Sequence, residues 1–92
     1  MKTAMARHIL VNDQDTANKL KQALAKGSDF AKLARQNSTC PSKKNGGDLG
    51  EVHPGELVKP VEQVIFKKAL KTIHGPVKSK FGYHLIEVYF RG

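Results

Sequence analysis

Apolar residues along this 92-residue chain recur at spacings that alternate between those of strands and those of helices. Residues 3–11 end in an apolar, mainly β-branched run and predict a strand. Strand alternation places four residues on one face of this strand: Ala4, Ala6, His8 and Leu10. Over residues 13–26 the apolar positions follow helical spacing, and Gly27 ends the pattern. This segment therefore predicts a helix.

The next segment changes from a helical pattern to the composition of a loop. Ser28 is a suitable N-cap for a second helix that ends near Asn37. Its predicted buried stripe consists of Phe30, Leu33 and Ala34. Residues 38–50 are rich in Pro, Gly, Ser, Lys and Asn, which predicts a surface loop. Loops of this length in small domains are often functional, so this one is a candidate position for a site.

The remainder of the chain predicts a short strand, a helix and two further strands. Residues 51–53 are the short strand, before a Pro54-Gly55 turn. Pro60 suits the first position of a helix, because no amide hydrogen is needed there. The predicted buried face of this helix consists of Val61, Val64 and Ile65, with Phe66 closing it against the core. A turn at residues 74–76 leads into Val77, and residues 82–90 predict the strongest strand.

The predicted element order, β-α-α-loop-β-α-β-β, indicates one sheet covered by helices, an α+β domain. The length predicts a single domain over residues 1–92. The sequence contains no run of 18 apolar residues and no signal-peptide pattern, so we expect neither a membrane span nor export. A single cysteine excludes an intramolecular disulfide and fits a reducing compartment. We therefore expect a cytoplasmic location. We also expect a monomer.

The chain is strongly basic, with 16 Lys and Arg residues against 8 Asp and Glu residues, a net charge of +8 and a pI near 9.8. The densest patch consists of Lys59, Lys67, Lys68, Lys71, Lys78 and Lys80. Aromatic residues do not interleave with these lysines, and no nucleic-acid-binding motif is present. The charge therefore favours a solvated basic face and acidic partners over nucleic acid.

Four histidines are candidates for chemistry. His53 and His74 lie in turn-like segments, where an exposed imidazole without a function is the better interpretation. His8 and His84 lie in apolar strands, so each ring needs a hydrogen-bond partner if it is buried. If the first and last strands pair, one ring could donate to the other. From the pattern alone, however, satisfied core histidines are the simpler interpretation.

Other candidate chemistry is weak when judged from residue types and spacing. Cys40 is a lone cysteine, which is usually a small apolar residue. A Cys-His hydrolase would also need an oxyanion hole and a cleft, which 92 residues rarely build. The histidines lack metal-ligand spacing, and residues 46–50 lack the GxxxxGK[ST] pattern of a phosphate loop. We therefore expect neither a metal nor a cofactor.

Several segments form a joint signature in one order along the chain. They are residues 8–11 (HILV), 29–34 (DFAKLA), 38–41 (STCP), 46–50 (GGDLG), 75–77 (GPV) and 81–86 (FGYHLI). Together they span nearly the whole chain and resemble the parvulin peptidyl-prolyl cis-trans isomerases, especially minimal single-domain bacterial parvulins of the PpiC type. The resemblance implies the parvulin fold, an FKBP-like, four-stranded antiparallel sheet surrounded by helices.

The resemblance also implies a site. His8 and His84 match the paired active-site histidines of the family, and Cys40 matches its active-site Cys or Asp position. The positions that line the family's proline pocket are matched by Leu49, Leu57, Val61 and Phe81. Leu57 stands where Met is common and Val61 where Phe is common, and losing an aromatic ring removes binding energy of about 1 kcal/mol. We therefore expect weaker proline binding unless Phe66 or Phe81 compensates.

The implied activity is cofactor-free, non-covalent isomerisation of X-Pro bonds in proline-containing peptides and in unfolded or nascent polypeptides. In phospho-specific members a basic loop follows the first strand, where this chain has Asn12-Asp13-Gln14-Asp15. Selectivity for phosphoserine is therefore not expected. The alternative, motivated by Val61, is a non-catalytic peptide-binding or chaperone module on the same fold.

Overall fold

Four strands, three α-helices and one 3₁₀ helix make up the computed structural model, which describes residues 2–92. Met1, the first residue of the expected domain 1–92, lies outside the described residues. In chain order the elements are β1 (Ala4–Val11), α1 (Gln14–Ala25), α2 (Phe30–Asn37), the 3₁₀ helix (Pro41–Asn45), β2 (Asp48–Val52), α3 (Lys59–Lys67), β3 (Ile73–Ser79) and β4 (Gly82–Arg91). All neighbouring strands are antiparallel, in the order β2-β1-β4-β3. The predicted α+β class and the four-stranded antiparallel sheet are confirmed.

Aspartate side chains cap the two helices of the first half. Asp13 accepts an amide hydrogen bond from the first turn of α1 at 2.9 Å, and Asp29 does the same for α2 at 3.0 Å. The prediction that Ser28 caps α2 is wrong, because Asp29 occupies the cap position, while the Ser28 amide donates to the carbonyl of Ala23 at the end of α1. Aspartate suits the cap position because its carboxylate both accepts the hydrogen bond and interacts favourably with the positive end of the helix.

The segment predicted as one loop, residues 38–50, is partly regular. It contains the 3₁₀ helix Pro41–Asn45 and the first residues of β2, which runs from Asp48 to Val52 and not over residues 51–53. Gly47 explains the loop-like composition. Its φ is +86°, and a Cβ at this position would collide with the backbone oxygen of His8. Glycine is therefore required where the chain closes against β1.

The predicted turn at residues 74–76 is also wrong. These residues lie inside β3, and the register with β4 shifts between His74 and Val77, which indicates a β-bulge. β3 is an edge strand, where Pro76 is tolerated although it has no amide hydrogen for the ladder. The turn between β3 and β4 is instead the two-residue connection Lys80-Phe81, closed by the pairing of Ser79 with Gly82.

Different helices cover the two faces of the sheet. The face covered by α1 and α2 is packed by Ile9, Val11, Ala17, Leu20, Phe30, Ala34 and Leu85. The face covered by α3 is packed by Ala4, Ala6, Val52, Val61, Val64, Ile65, Ile86 and Val88. The predicted buried face of α3 is confirmed. None of the described helices has the length and apolar character needed to cross a membrane.

Candidate active site

α3 is too short to cover its face of the sheet. Nine helical residues extend about 14 Å, whereas the ten residues of β4 extend about 33 Å. Strand alternation places His8 and Leu10 of β1 and His84 of β4 on the face that α3 covers, and they lie beyond the N-terminal end of this helix. An open cavity of about 590 Å³ lies there, and all three residues line it.

The two histidines at this cavity contact each other across the central strand pair. Leu10 pairs with His84 and His8 with Ile86, so the two rings are diagonal neighbours. Their Nδ1 atoms are 3.3 Å apart, and the ring centroids are 5.5 Å apart with 17° between the planes. Both side chains are buried. The hydrogen bond expected between the first and last strands is present.

The surroundings keep both imidazoles neutral. Burial, and then the charge of His84, lowers the pKa of His8 to about 4. Burial also lowers the pKa of His84 below its ordinary value. Near pH 7 the pair therefore shares one proton between the two Nδ1 atoms, with one ring donating and the other accepting. The buried Nε2 of His8 has no hydrogen-bond partner among residues 2–92. Such unsatisfied polar atoms are rare in folded proteins and are found at functional sites.

Ser79 extends the histidine pair to the β3–β4 turn. Its hydroxyl lies 2.6 Å from Nε2 of His84 and accepts a hydrogen bond from the amide of Phe81 at 3.1 Å. The orientation of the His84 ring is therefore tied to the backbone of the turn that carries Phe81. Sequence reasoning missed Ser79, although its position five residues before His84, across a two-residue hairpin, could have indicated the contact.

Ser38 holds Cys40 in place, as Ser79 does for His84. The Ser38 hydroxyl, which is buried, accepts hydrogen bonds from the amides of Leu10 at 3.0 Å and Cys40 at 3.3 Å. In addition, the Thr39 amide donates to the carbonyl of Leu10 at 2.8 Å. These bonds fasten the segment after α2 to β1 and place the half-buried Cys40 at the cavity that His8 and His84 line. Ser38 is the second site residue that sequence reasoning did not single out.

The structure brings together most, though not all, of the residues expected at the site. His8, Cys40 and His84 line the cavity, as do Leu57, Val61 and Phe81. Leu49 does not line it, since this residue packs against the hydrophobic cluster beneath α3. Phe66 packs against the same cluster and not in the cavity, so it does not replace the aromatic ring that Val61 lacks. Phe81 is 57% exposed and provides the aromatic surface at the cavity mouth.

The other two histidines do not line the cavity. Nε2 of His53 is 3.0 Å from the carboxylate of Glu51, and Nε2 of His74 is 2.8 Å from the carbonyl of Ala69. These contacts give each ring a local structural partner. Within residues 2–92, no group of three or more His, Cys, Asp or Glu side chains is arranged to hold a metal ion.

The fold and the sequence are similar to those of known proteins. Residues 6–89 match the PPIC-type PPIase (rotamase) domain family. The foldase protein PrsA of Geobacillus sp. (strain WCH70) is 50% identical over 84 residues, which are 90% of this chain and 30% of the relative. This chain thus spans about a third of the length of that relative. The crystal structure of PrsA from Bacillus anthracis superposes with a TM-score of 0.95 at 37% identity, covering 99% of this chain and 42% of the other.

The parvulin NmPin of Nitrosopumilus maritimus is comparable in length to this chain. It is 36% identical with a TM-score of 0.87, and the similarity covers 98% of both chains. Sheet order and helix placement thus define a parvulin-type domain. The chain belongs to the PpiC-type peptidyl-prolyl cis-trans isomerase family. The predictions of a parvulin-like fold and of membership in this isomerase family are confirmed.

Proposed function

We propose that the cavity binds the proline of an X-Pro segment and lowers the barrier to rotation about the X-Pro amide without a covalent step. The observation that carries this proposal is an open cavity of about 590 Å³ in which apolar side chains surround a neutral, hydrogen-bonded histidine pair. Its volume falls within the range of about 300 to 1,000 Å³ that is usual for small-ligand sites.

The energetic requirement is modest. Rotation about a peptide bond has a barrier of about 20 kcal/mol, and X-Pro bonds isomerise uncatalysed in tens to hundreds of seconds. A turnover near 100 per second requires a barrier lower by about 5 kcal/mol. A single apolar cavity with a few oriented polar groups is able to supply this amount, because neither a new bond nor a bound cofactor is involved.

The apolar part of the cavity acts on the ground state. The planar X-Pro amide is strongly dipolar, and its resonance is weakened when the amide moves from water into an apolar environment. Leu57, Val61 and Phe81 surround the prolyl ring and exclude water from this amide. A cavity shaped to the twisted amide binds that state more tightly than the planar one, which raises the rate.

The polar part of the cavity acts on the carbonyl of X. His8, His84 and Cys40 lie beside this carbonyl and set its electrostatic surroundings, while Ser79 holds the His84 ring in place. The groups are oriented before the substrate binds, so little reorganisation is needed during rotation. With a pKa of about 4, His8 is a weak base at neutral pH, which argues against activation of Cys40 as a nucleophile.

Folding polypeptides are the proposed substrates. The name of the relative from Geobacillus, a foldase, supports this assignment, as does an open cavity that admits a segment of a longer chain. The absence of a basic loop after β1 argues against phosphoserine selectivity: residues 12–15 are Asn12-Asp13-Gln14-Asp15. A monomer and the cytoplasm stay predictions, to be tested by sedimentation and by cell fractionation with an antibody against this chain.

A protease-free isomerisation assay tests the function, and the chain offers a matched pair of variants. Phe81 and Phe90 are similarly exposed, at 57% and 53%, but only Phe81 lines the cavity. Phe81→Ala should lower kcat/KM by about tenfold, in line with the loss of one aromatic contact, whereas Phe90→Ala should leave it unchanged.

Two results would contradict this proposal. Equal effects of Phe81→Ala and Phe90→Ala would place the reaction outside the cavity. Peptide binding without any acceleration of isomerisation by the wild-type chain would instead support the alternative of a non-catalytic proline-binding or chaperone module, which the small side chain of Val61 favours.

A further inference from the structure

Few negative charges and several positive charges lie at and around the mouth of the cavity. Glu56 is the one acidic residue that lines it, and the Glu56 carboxylate already accepts a hydrogen bond from the His53 amide at 2.7 Å. His8 and His84 add no positive charge near pH 7, because burial lowers their pKa values. Any strong preference of the site for charged peptides must therefore come from charged residues at its rim.

Lysines dominate the segments that border the cavity. Lys43 and Lys44 are exposed on the 3₁₀ helix that follows Cys40, and Lys78 and Lys80 are exposed at the β3–β4 hairpin. Within residues 2–92 the ion pairs are Arg7 with Glu87 and His53 with Glu51, and neither involves any of these lysines. Their charges are therefore available to a bound peptide.

Lys80 is the best positioned of these lysines. It lies in the two-residue turn directly before Phe81, and its Nζ is 5.2 Å from the centroid of the Phe81 ring. This contact is a cation–π interaction, which keeps the ammonium near an aromatic ring that lines the cavity. The turn is also held by the amide of Phe81, which donates to Ser79, the hydrogen-bond partner of His84.

We propose that Lys80 is a specificity-determining residue that favours Asp or Glu directly before the proline of the substrate. This inference rests on the proposed function of the cavity. In the proposed binding mode the carbonyl of residue X faces His84. Ser79 contacts His84, and Lys80 follows Ser79 directly in the chain. In this binding mode we place the side chain of X beside the β3–β4 turn, within reach of the Lys80 ammonium.

The proposal is tested with two blocked peptides that differ only in the residue before proline, which carries a carboxylate in one and an uncharged carboxamide in the other. Ala-Glu-Pro-Phe and Ala-Gln-Pro-Phe have nearly equal size, so their ratio of kcat/KM reports the charge of X. At low salt the wild-type ratio should be about two to five in favour of Glu, the range expected for an exposed ion pair. It should fall towards one at about 0.5 M salt, where such interactions are screened.

Variants of Lys80 assign the preference to this residue. Lys80→Gln should bring the ratio close to one, Lys80→Glu should bring it below one, and Lys80→Arg should keep the wild-type ratio. The matched control is Lys32→Gln, which removes the same charge from an exposed position on α2 outside the residues that line the cavity and should keep the wild-type ratio.

The outcomes separate this proposal from the proposed function. Equal acceleration of both peptides by the wild-type chain, or a ratio that Lys80→Gln leaves unchanged, would overturn the role of Lys80 while the isomerase function stands. Failure to accelerate either peptide would overturn the function of the cavity and this proposal with it.

Discussion

The two faces of the sheet differ in how completely helices cover them. On the face of α1 and α2, apolar residues of both helices and of the central strands form a closed cluster that includes Ile9, Phe30 and Leu85. On the opposite face, α3 closes the cluster around Ile65 and Ile86, but its N-terminal end only borders the cavity that His8 and His84 line. The same strands therefore contribute to a packed core on one side and to a reaction cavity on the other.

Adjacent residues of β4 show this difference most directly. Leu85 and His84 are next to each other in sequence and both are buried, yet strand alternation sends their side chains to opposite faces. Leu85 is surrounded by apolar side chains, whereas the polar ring of His84 is satisfied by Ser79 and His8. We expect substitutions on the closed face to affect stability, and those on the open face to affect activity.

The largest effect should come from the closed face. Leu85→Ala removes a fully buried side chain and should lower the free energy of unfolding by about 3 kcal/mol, as is typical when a buried leucine is truncated. Urea denaturation followed by circular dichroism measures this change. A loss below about 1 kcal/mol would show that the closed face is loosely packed, contrary to the distinction between the faces.

A smaller loss in the free energy of unfolding should follow from lowering the pH, because His8 on the open face takes up a proton. The folded-state pKa of His8, about 4, lies below its unfolded value of 6.5. The unfolded chain therefore binds the proton first, so stability is fully present above pH 6.5 and is lost as the pH falls towards 4. Between pH 6.5 and pH 5 the loss from His8 should be about 2 kcal/mol.

Urea denaturation at several pH values checks this dependence. His8→Phe removes one titrating ring and should make the slope between pH 5 and pH 6.5 shallower, with His84, whose pKa burial also lowers, contributing to what remains. Lys32→Gln, on the outside of α2, should keep the wild-type slope. A wild-type slope that persists in His8→Phe would show that other groups cause the acid sensitivity.

Truncation of an apolar cavity residue should affect activity more than stability. Leu57 is half-buried and lines the cavity, so Leu57→Ala should reduce kcat/KM by about five- to tenfold through lost contact with the prolyl ring. Its cost in unfolding free energy should be well below that of Leu85→Ala. If Leu57→Ala destabilised the fold as much as Leu85→Ala, the two faces would not differ in the way described.

The smallest effect is expected at Cys40. Since the proposed mechanism involves no nucleophile, Cys40→Ser should lower kcat/KM by less than about tenfold, equivalent to less than about 1.4 kcal/mol of barrier. Complete loss of activity in a folded Cys40→Ser variant would instead argue for covalent catalysis. Measuring kcat/KM and the unfolding free energy on the same preparation separates the two outcomes.

Local sequence patterns determined much of the fold. The helical spacing in α1 and α3 and the apolar strand β4 predicted these elements closely, because each buries one continuous face against the sheet. The wrong predictions lie where tertiary contacts override local preference. Gly47 is a residue type typical of loops, but it lies against the backbone of His8. Pro76 is typical of turns, but it lies in an edge strand beside a bulge.

The candidate site shows a similar division. The sequence by itself identified His8, Cys40 and His84 through resemblance, and their separation along the chain carried no information on contact. Only the tertiary structure decided that β1 pairs with β4, that Ser38 and Ser79 orient the site, and that Leu49 and Phe66 lie outside the cavity. The physical reason is that most of these contacts join residues distant in sequence, and that the position at which the short helix α3 begins above the sheet decides which part of this face stays open.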